Sequence, residues 1–310
     1  MTIKENTLAL QRALLIINQQ SRSGNADLTA AIERLERQGL TLIKATATTP
    51  AAITDSILHH SDTVDRIILG GGDGTMNAAA PALVQTGLPL GILPMGTAND
   101  LARTLQIPTA LEEASEIIIH GKRHVIDLGW VNGHYFFNVA HIGLGANVTH
   151  ALSSGIKQRW GALSYARAVV NALRTNRPFR ANIECDGSIL RTRAMQVAVG
   201  NGRHYGGGMT IMEDAAIDDQ QLDLYCLKAA RWWQLLLAAL AVRAGRWQQQ
   251  PHVHVLRGRE ITIRTRRSLA VSADGELITR TPAFFRVIPQ AISVFVPPDY
   301  PTDTRQAIAV

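Results

Sequence analysis

Two cysteines, Cys185 and Cys226, are all that 310 residues contain. Both lie in apolar, strand-like runs, Ile183-Glu184-Cys185 and Leu224-Tyr225-Cys226-Leu227. They form no CxxC and no Cys/His spacing, which argues against zinc, so they read as buried structural thiols in a reducing, cytosolic setting. Long apolar runs are missing too. No stretch of about 18 uncharged apolar residues exists, so no membrane span is expected. Near the N-terminus, Ala9 to Asn18 is interrupted by Gln11 and Arg12, too short and too broken for a signal peptide. The expectation is a cytoplasmic protein. Internal repeats and low-complexity tracts are absent. Hydrophobic residues at 46% and charged residues at 18% are globular composition and exclude disorder. The length makes two domains the natural prior. What the chain has in excess is positive charge, +6. That suits an acidic partner (nucleotide phosphates, anionic lipid or nucleic acid) without choosing among them, and solubility alone is the plain alternative. No aromatic-basic motif accompanies the charge, so no nucleic-acid partner is expected.

The first third alternates between two periods. Ala13 to Asn18 is a short continuous apolar run, as in a strand buried on both faces. Leu28, Ile32 and Leu35 then recur at helical spacing. Leu40 to Thr46 reads as a strand, Ala51 to His59 as a helix and Arg66 to Leu69 as a strand ending in a glycine run. Thr75 to Gln85 reads as a helix that Pro81 should kink or shift. Leu90 to Leu93 is a fourth strand, ending in the loop Met95 to Asp100, and two short helices run through Leu105 and Ile119. Such alternation predicts a parallel sheet flanked by helices, with ligand loops beyond the strand C-termini. From His124 the pattern changes to short alternating runs, among them 125–128, 135–139, 181–184, 195–199, 222–227, 261–263 and 285–287. This predicts a mainly antiparallel β-sandwich with helical insertions near Ala162 to Leu173 and Trp232 to Val242. The domains are expected at 1–122 and 123–310, with room for the last segment to pack back on the first.

The strand that ends in Gly70-Gly71-Gly72-Asp73-Gly74-Thr75-Met76-Asn77 carries a chemical signal. Glycines let backbone N–H groups approach phosphate oxygens, and the following helix offers its N-terminus to an anion. Thr75 and Asn77 add side-chain donors. Asp73 would repel phosphate unless a Mg²⁺ lay between them. No Gly-Lys-Ser/Thr follows, so this is not a Walker A loop, and it is not GxGxxG. A tight strand-helix turn would need one glycine, not four with an Asp and a Thr. Gly96-Thr97-Ala98-Asn99-Asp100 could cap the next helix. Beside the glycine loop, a nucleotide contact is the better reading.

Together with Asn201-Gly202-Arg203-His204-Tyr205-Gly206-Gly207-Gly208 and Asp274-Gly275-Glu276, these motifs resemble the diacylglycerol-kinase catalytic family, in particular its soluble bacterial YegS-like lipid kinases. The family's GGDGT stands at Gly71 to Thr75 and its GTxND at Gly96 to Asp100. The resemblance covers about Arg12 to Pro297 and implies an NAD-kinase/diacylglycerol-kinase-like α/β domain before the sandwich. It implies a kinase that moves the γ-phosphate of Mg-ATP to a lipid hydroxyl, with diacylglycerol or a related glycerolipid such as phosphatidylglycerol as acceptor. ATP would contact Thr46, Gly71, Gly72, Asp73, Gly74, Thr75, Met76, Asn77 and Thr97. Glu276 matches the catalytic base, and Asp73 would hold a catalytic Mg²⁺. Asp-Gly is also a hairpin signal, and a turn can carry the base. A structural Mg²⁺ site is implied at Ala216-Ile217-Asp218-Asp219-Gln220-Gln221, with the Asp219 carboxylate and the Ala216 and Gln221 carbonyls as ligands. Here Gln220 replaces the usual glycine and Glu213 a usual proline. If the glycine is needed for its backbone angles, the loop is altered or empty. The usual Asn-Pro after the first strand is Asn18-Gln19.

Other features have two readings each. His141 and His150 could pair on a metal, although loop or core histidines are the commoner case. The helix opening at Trp232-Trp233 could lie on a bilayer or pack inside the domain. Lys157, Arg159, Arg167, Arg174, Arg177 and Arg180 could be a solvated face or meet anionic lipid heads. The implied lipid kinase would visit the membrane transiently, and a homodimer is compatible with the sequence. An NAD-kinase-like phosphotransferase and a non-catalytic nucleotide or lipid sensor are the rival functions.

Overall fold

The computed structural model describes residues 11–18, 25–143, 177–202, 204–205, 209–210, 215–228 and 253–301. The expected insertions near 162–173 and 232–242, His150, the basic positions 157–174, Glu213 and the glycines 206–208 lie outside the described residues. The chain divides into two compact units, 1–124 with 292–300, and 125–291 with 301–310.

The first unit begins β1 (Gln11–Asn18), α1 (Asn25–Arg37), β2 (Leu40–Ala47), α2 (Pro50–His60), β3 (Arg66–Gly71) and α3 (Asp73–Thr86). It continues with β4 (Leu90–Pro94), α4 (Asp100–Thr104) and α5 (Leu111–His120). The strands pair in parallel in the order β2-β1-β3-β4. Leu14, Ile16, Ile67, Ile68 and Leu93 are fully buried, which is why these strands read as continuous apolar runs rather than alternating ones. Helix starts and stops follow local chemistry. The Thr49 hydroxyl accepts the Ala52 N–H at 3.2 Å to cap α2, and Pro50 follows at its first position. Pro81 does not interrupt α3, which runs through it as one helix to a left-handed Gly87 cap. Pro81 is exposed, so its ring faces water rather than the packed side of the helix.

The second unit opens with β5 (Lys122–Val131), which starts in the first unit, then β6 (His134–Phe136), β7 (Val139–Gly143), β8 (Phe179–Cys185) and β9 (Ser188–Gly200). Then come β10 (His204–Tyr205), β11 (Met209–Thr210), β12 (Leu222–Lys228), β13 (Val253–Gly258) and β14 (Glu260–Thr265). β15 (Ala270–Ala273), β16 (Glu276–Arg280) and β17 (Ala283–Val296) complete it. Strands pair antiparallel in the order β16-β15-β7-β9-β8-β14-β17, with β12 and β13 built onto β9. The last residues of β17 belong to the first unit, where Val294 pairs in parallel with Leu90. Phe136, Ile183, Val197, Leu224, Ile263 and Phe285 form the core with both cysteine side chains among them. Both thiols are free and buried, and burial raises their pKa values, that of Cys226 to about 12. Three hairpins close on two-residue turns, Asn132-Gly133, Asp186-Gly187 and Asp274-Gly275, each with both φ values positive. That is the turn whose twist matches paired strands.

His141 lies in β7 with 7% exposure, against Gln196, whose Nε2 donates to the ring Nδ1 at 3.3 Å and to the Tyr225 hydroxyl at 2.7 Å. It is a core histidine. Burial holds its pKa down at about 4, against 6.5 ordinarily. The unfolded chain therefore takes up the proton first as pH falls. Stability from the neutral ring is whole above pH 6.5 and is lost progressively down to pH 4. By linkage that loss amounts to roughly 3 kcal/mol. Urea unfolding at pH 7 and pH 4.5 should show His141→Gln flattening this acid slope, and an unchanged slope would remove His141 as its source.

Candidate active site

In a parallel sheet every strand ends at the same edge, so the loops after β1 to β4 gather there. Ile17, Thr46 and Gly70 share one register row. Thr46 is exposed at the end of β2 and, with β1 between, is roughly 10 Å from Gly70 by strand spacing. Gly71 and Pro94 are register partners, and the glycine loop and the Met95–Asp100 loop are neighbours from that point. The Met95 N–H donates to the Gly71 carbonyl at 2.9 Å. A Cβ on Gly96 would stand 2.5 Å from the Gly72 Cα, and one on Gly72 would stand 3.0 Å from the Gly96 Cα. The two loops therefore touch backbone to backbone. Glycine is needed at both positions for closeness, not for unusual φ.

Side chains lock this contact. The Leu101 N–H donates to Asp73 Oδ1 at 3.1 Å, so the carboxylate that looked misplaced in an anion cradle caps the first turn of α4 from the neighbouring loop. Asn99, left-handed at φ 49, closes its own loop. Its Oδ1 accepts the Gly96 N–H at 2.9 Å, and its Nδ2 donates to the Gly96 carbonyl at 3.0 Å. It is the first-residue cap of α4 by position but makes no side-chain cap bond to that helix. Thr75 is buried, and its Oγ1 accepts from Asn18 Nδ2 at 3.0 Å. The Gly72 carbonyl accepts the N–H groups of Thr75 at 2.9 Å and Met76 at 3.2 Å. The buried Oδ1 of Asn77 has no hydrogen-bond partner among the described residues. Gly74 is half-buried and Thr97 exposed at the tip of the second loop.

In the second unit, Asp274 and Glu276 flank one tight turn and do different things. The Asp274 carboxylate accepts three consecutive backbone N–H groups: Phe137 at 2.7 Å, Asn138 at 3.0 Å and Val139 at 2.9 Å. Its own N–H donates to the Val139 carbonyl at 2.9 Å. The hydrogen-bond network continues to Asn201-Gly202, whose N–H groups both donate to the Asn138 carbonyl. The buried Asn201 amide donates to the Asp127 and Phe137 carbonyls at 3.0 and 2.9 Å. The Asp-Gly-Glu and Asn-Gly motifs are thus one hydrogen-bonded knot. Glu276 is exposed at the start of β16 on the far side of that turn. The residue expected to work as a base faces solvent while its neighbour holds the turn.

The loop 216–221 keeps its bend. Gln220 is left-handed at φ 59, so the backbone geometry that glycine would give is present with a side chain, at a cost of about 1–2 kcal/mol. The Gln220 N–H donates to the buried Asp127 at 2.6 Å, and the other oxygen of Asp127 accepts the Gln290 N–H at 2.7 Å. Asp219 is 5% exposed, and its Oδ1 accepts the Gln221 N–H at 3.0 Å. Among the described residues no group of three or more His, Cys, Asp or Glu side chains gathers. A cation here would rest on one carboxylate and on carbonyls. That is an oxygen-only donor set, which suits Mg²⁺.

The family model of the diacylglycerol kinase catalytic domain matches residues 12–131. That of the YegS C-terminal NAD kinase beta sandwich-like domain matches 138–296. The chain belongs to the YegS-like diacylglycerol kinase family. A "Probable lipid kinase YegS-like" of Yersinia enterocolitica is 33% identical over 94% of this chain and 98% of its own length. Another of that description, from Shewanella frigidimarina, is 28% identical over 95% and 96%. The crystal structure of a diacylglycerol kinase from Bacillus anthracis shares the fold, with TM-score 0.72 and 23% identity over 94% of this chain and 98% of that one. In this YegS-like chain the sequence motifs missed one participant, Asp127. Its signal was there: a carboxylate inside the otherwise apolar run Val125-Ile126-Asp127-Leu128 must be bonded if that strand is buried.

The loop contact yields a direct test. Gly96→Ala must push two backbones apart, which should cost about 1–3 kcal/mol by chemical denaturation. Unchanged stability would show that the loops can separate freely.

Proposed function

We propose that this chain is an ATP-dependent lipid kinase that transfers the γ-phosphate of Mg-ATP to the hydroxyl of diacylglycerol or a related glycerolipid. The observation that carries the proposal is the glycine turn Gly71–Thr75, held backbone to backbone against Gly96–Asp100 at a parallel sheet edge. Family membership and the lipid kinase descriptions of full-length relatives support it. Phosphoryl transfer asks little covalent chemistry of a protein and much positioning. The Gly71–Asn77 segment offers the phosphates the N-terminus of α3, with no Cβ on Gly72 or Gly74 in the way of their approach. Thr46 and Thr97, exposed on the same edge, complete the nucleotide contacts. The unpartnered Asn77 oxygen is an acceptor waiting for a donor or a cation. Asp73, tethered through Oδ1, is the residue to hold a catalytic Mg²⁺, whose part would be to offset phosphate charge. Asp219, Ala216 and Gln221 are those to hold a structural one. Transient docking on a membrane from the cytoplasm follows from the acceptor.

Glu276 serves as general base. It takes the proton of the lipid hydroxyl as the oxygen–phosphorus bond forms, the bond from the γ-phosphorus to the bridging oxygen breaks, and ADP leaves. Its exposure suits a group that must meet an incoming hydroxyl, and the turn clamped by Asp274 fixes where it starts from. Glu276→Gln should lower turnover by about 10²–10⁴-fold while nucleotide affinity, measured by calorimetry, stays within about twofold. Turnover near that of the unaltered protein would remove Glu276 from the mechanism.

A further inference from the structure

Strand alternation divides the second unit's residues between two faces. Ala181, Ile183 and Cys185 of β8, Ile261 and Ile263 of β14, and Ala283 and Phe285 of β17 enter the core. The residues between them share the outward face. β8 places Arg180 and Glu184 there, β14 places Glu260 and Arg264, and β17 places Arg286. β9 adds Arg191 and Arg193, both exposed. The face carries five arginines against two glutamates.

Three observations separate it from an ordinary solvated sheet. Arg180 and Arg193 are direct cross-strand partners, and like charges placed so are destabilising unless an anion joins them. Second, four large apolar side chains are notably exposed among the described residues, and two of them are here, Ile189 at 61% and Phe284 at 45%. They stand at the ends of one register row, Ile189–Glu184–Thr262–Phe284, about 14 Å apart by strand spacing. Third, aromatic rings sit under the guanidinium groups: Arg286 is 4.4 Å from the Trp130 ring centroid and Arg264 is 5.7 Å from that of Phe284.

We propose that this outward face of β9, β8, β14 and β17 docks the protein on an anionic lipid surface. A protein partner would call for a clustered apolar centre with charge at its rim. Here the apolar residues stand at the ends of the row, and the arginines are spread over four strands and outnumber the glutamates even though Arg264 is ion-paired with Glu184 at 3.6 Å, as suits a plane of lipid head groups. Aromatic rings beside arginine suit the interfacial depth of a bilayer. The inference extends the lipid-kinase reading, but vesicle binding can be measured without turnover.

The test sediments the full chain with vesicles of phosphatidylcholine alone, or with about one third phosphatidylglycerol, at low and high salt. The protein should bind the anionic vesicles, bind phosphatidylcholine weakly, and come off at high salt. Arg191→Glu/Arg193→Glu should weaken binding on the order of tenfold or more. Ile189→Ser/Phe284→Ser should weaken it severalfold without altering net charge. Arg12→Glu/Arg37→Glu, with the same charge change in the first unit, should bind like the unaltered protein. Thermal unfolding checks each variant, and if the arginine pair does not fold, the apolar pair carries the test. Equal binding to both vesicle types, or equal loss in the first-unit control, overturns the docking face. Vesicle binding without phosphate transfer to any lipid would instead sink the kinase reading and leave the face standing. Phosphate transfer to dispersed short-chain lipid without vesicle binding would do the reverse.

Discussion

Gly72 and Gly96 approach so closely that neither backbone can carry a Cβ without displacing the other. Much of the first unit serves this contact. Parallel pairing of β3 and β4 brings Gly71 level with Pro94, the Met95 N–H bonds across, and Asp73 reaches over to the start of α4. Asn99 accepts a left-handed backbone to keep its loop closed on Gly96. The result is a double turn tied by hydrogen bonds within and between its two loops.

The second unit solves a similar problem with a carboxylate. Asp274 draws together three successive N–H groups of the segment between β6 and β7, and Asn201-Gly202 bonds to that segment from the other side. Charge-assisted bonds to a carboxylate are among the stronger local ties available. They hold the two-residue turn from which Glu276 begins its strand. Asp127 does comparable work, joining Gln220 and Gln290, both left-handed, to one buried carboxylate.

Much of this is legible in the sequence. The apolar runs of β1, β3 and β4 announced a buried parallel sheet, and the change of period near His124 announced the antiparallel unit. Asp274-Gly275 was readable as a hairpin because few other dipeptides favour two positive φ values. What could not be read was which atoms each motif residue touches. Asp73 reads as a metal contact in the sequence, and its bond to the Leu101 N–H, 28 residues on, could not be read there. Gln220 suggested a broken loop, yet its neighbours impose the left-handed geometry on a residue that disfavours it. Pro81 suggests a kinked or shifted helix, and α3 runs from Asp73 to Thr86 with Pro81 inside it. At Asp73 and Gln220 the partners come from distant residues, and such partners leave no mark at short sequence spacing.

Phosphate transfer to a lipid hydroxyl can be measured against its main rival in one reaction. The most direct measurement incubates the full chain with γ-labelled ATP, Mg²⁺ and two acceptors together, diacylglycerol in mixed micelles and NAD in solution, and identifies products by mass. A lipid kinase yields a phosphorylated glycerolipid and leaves NAD unchanged. Labelled NADP with no phosphorylated lipid would show an NAD kinase instead.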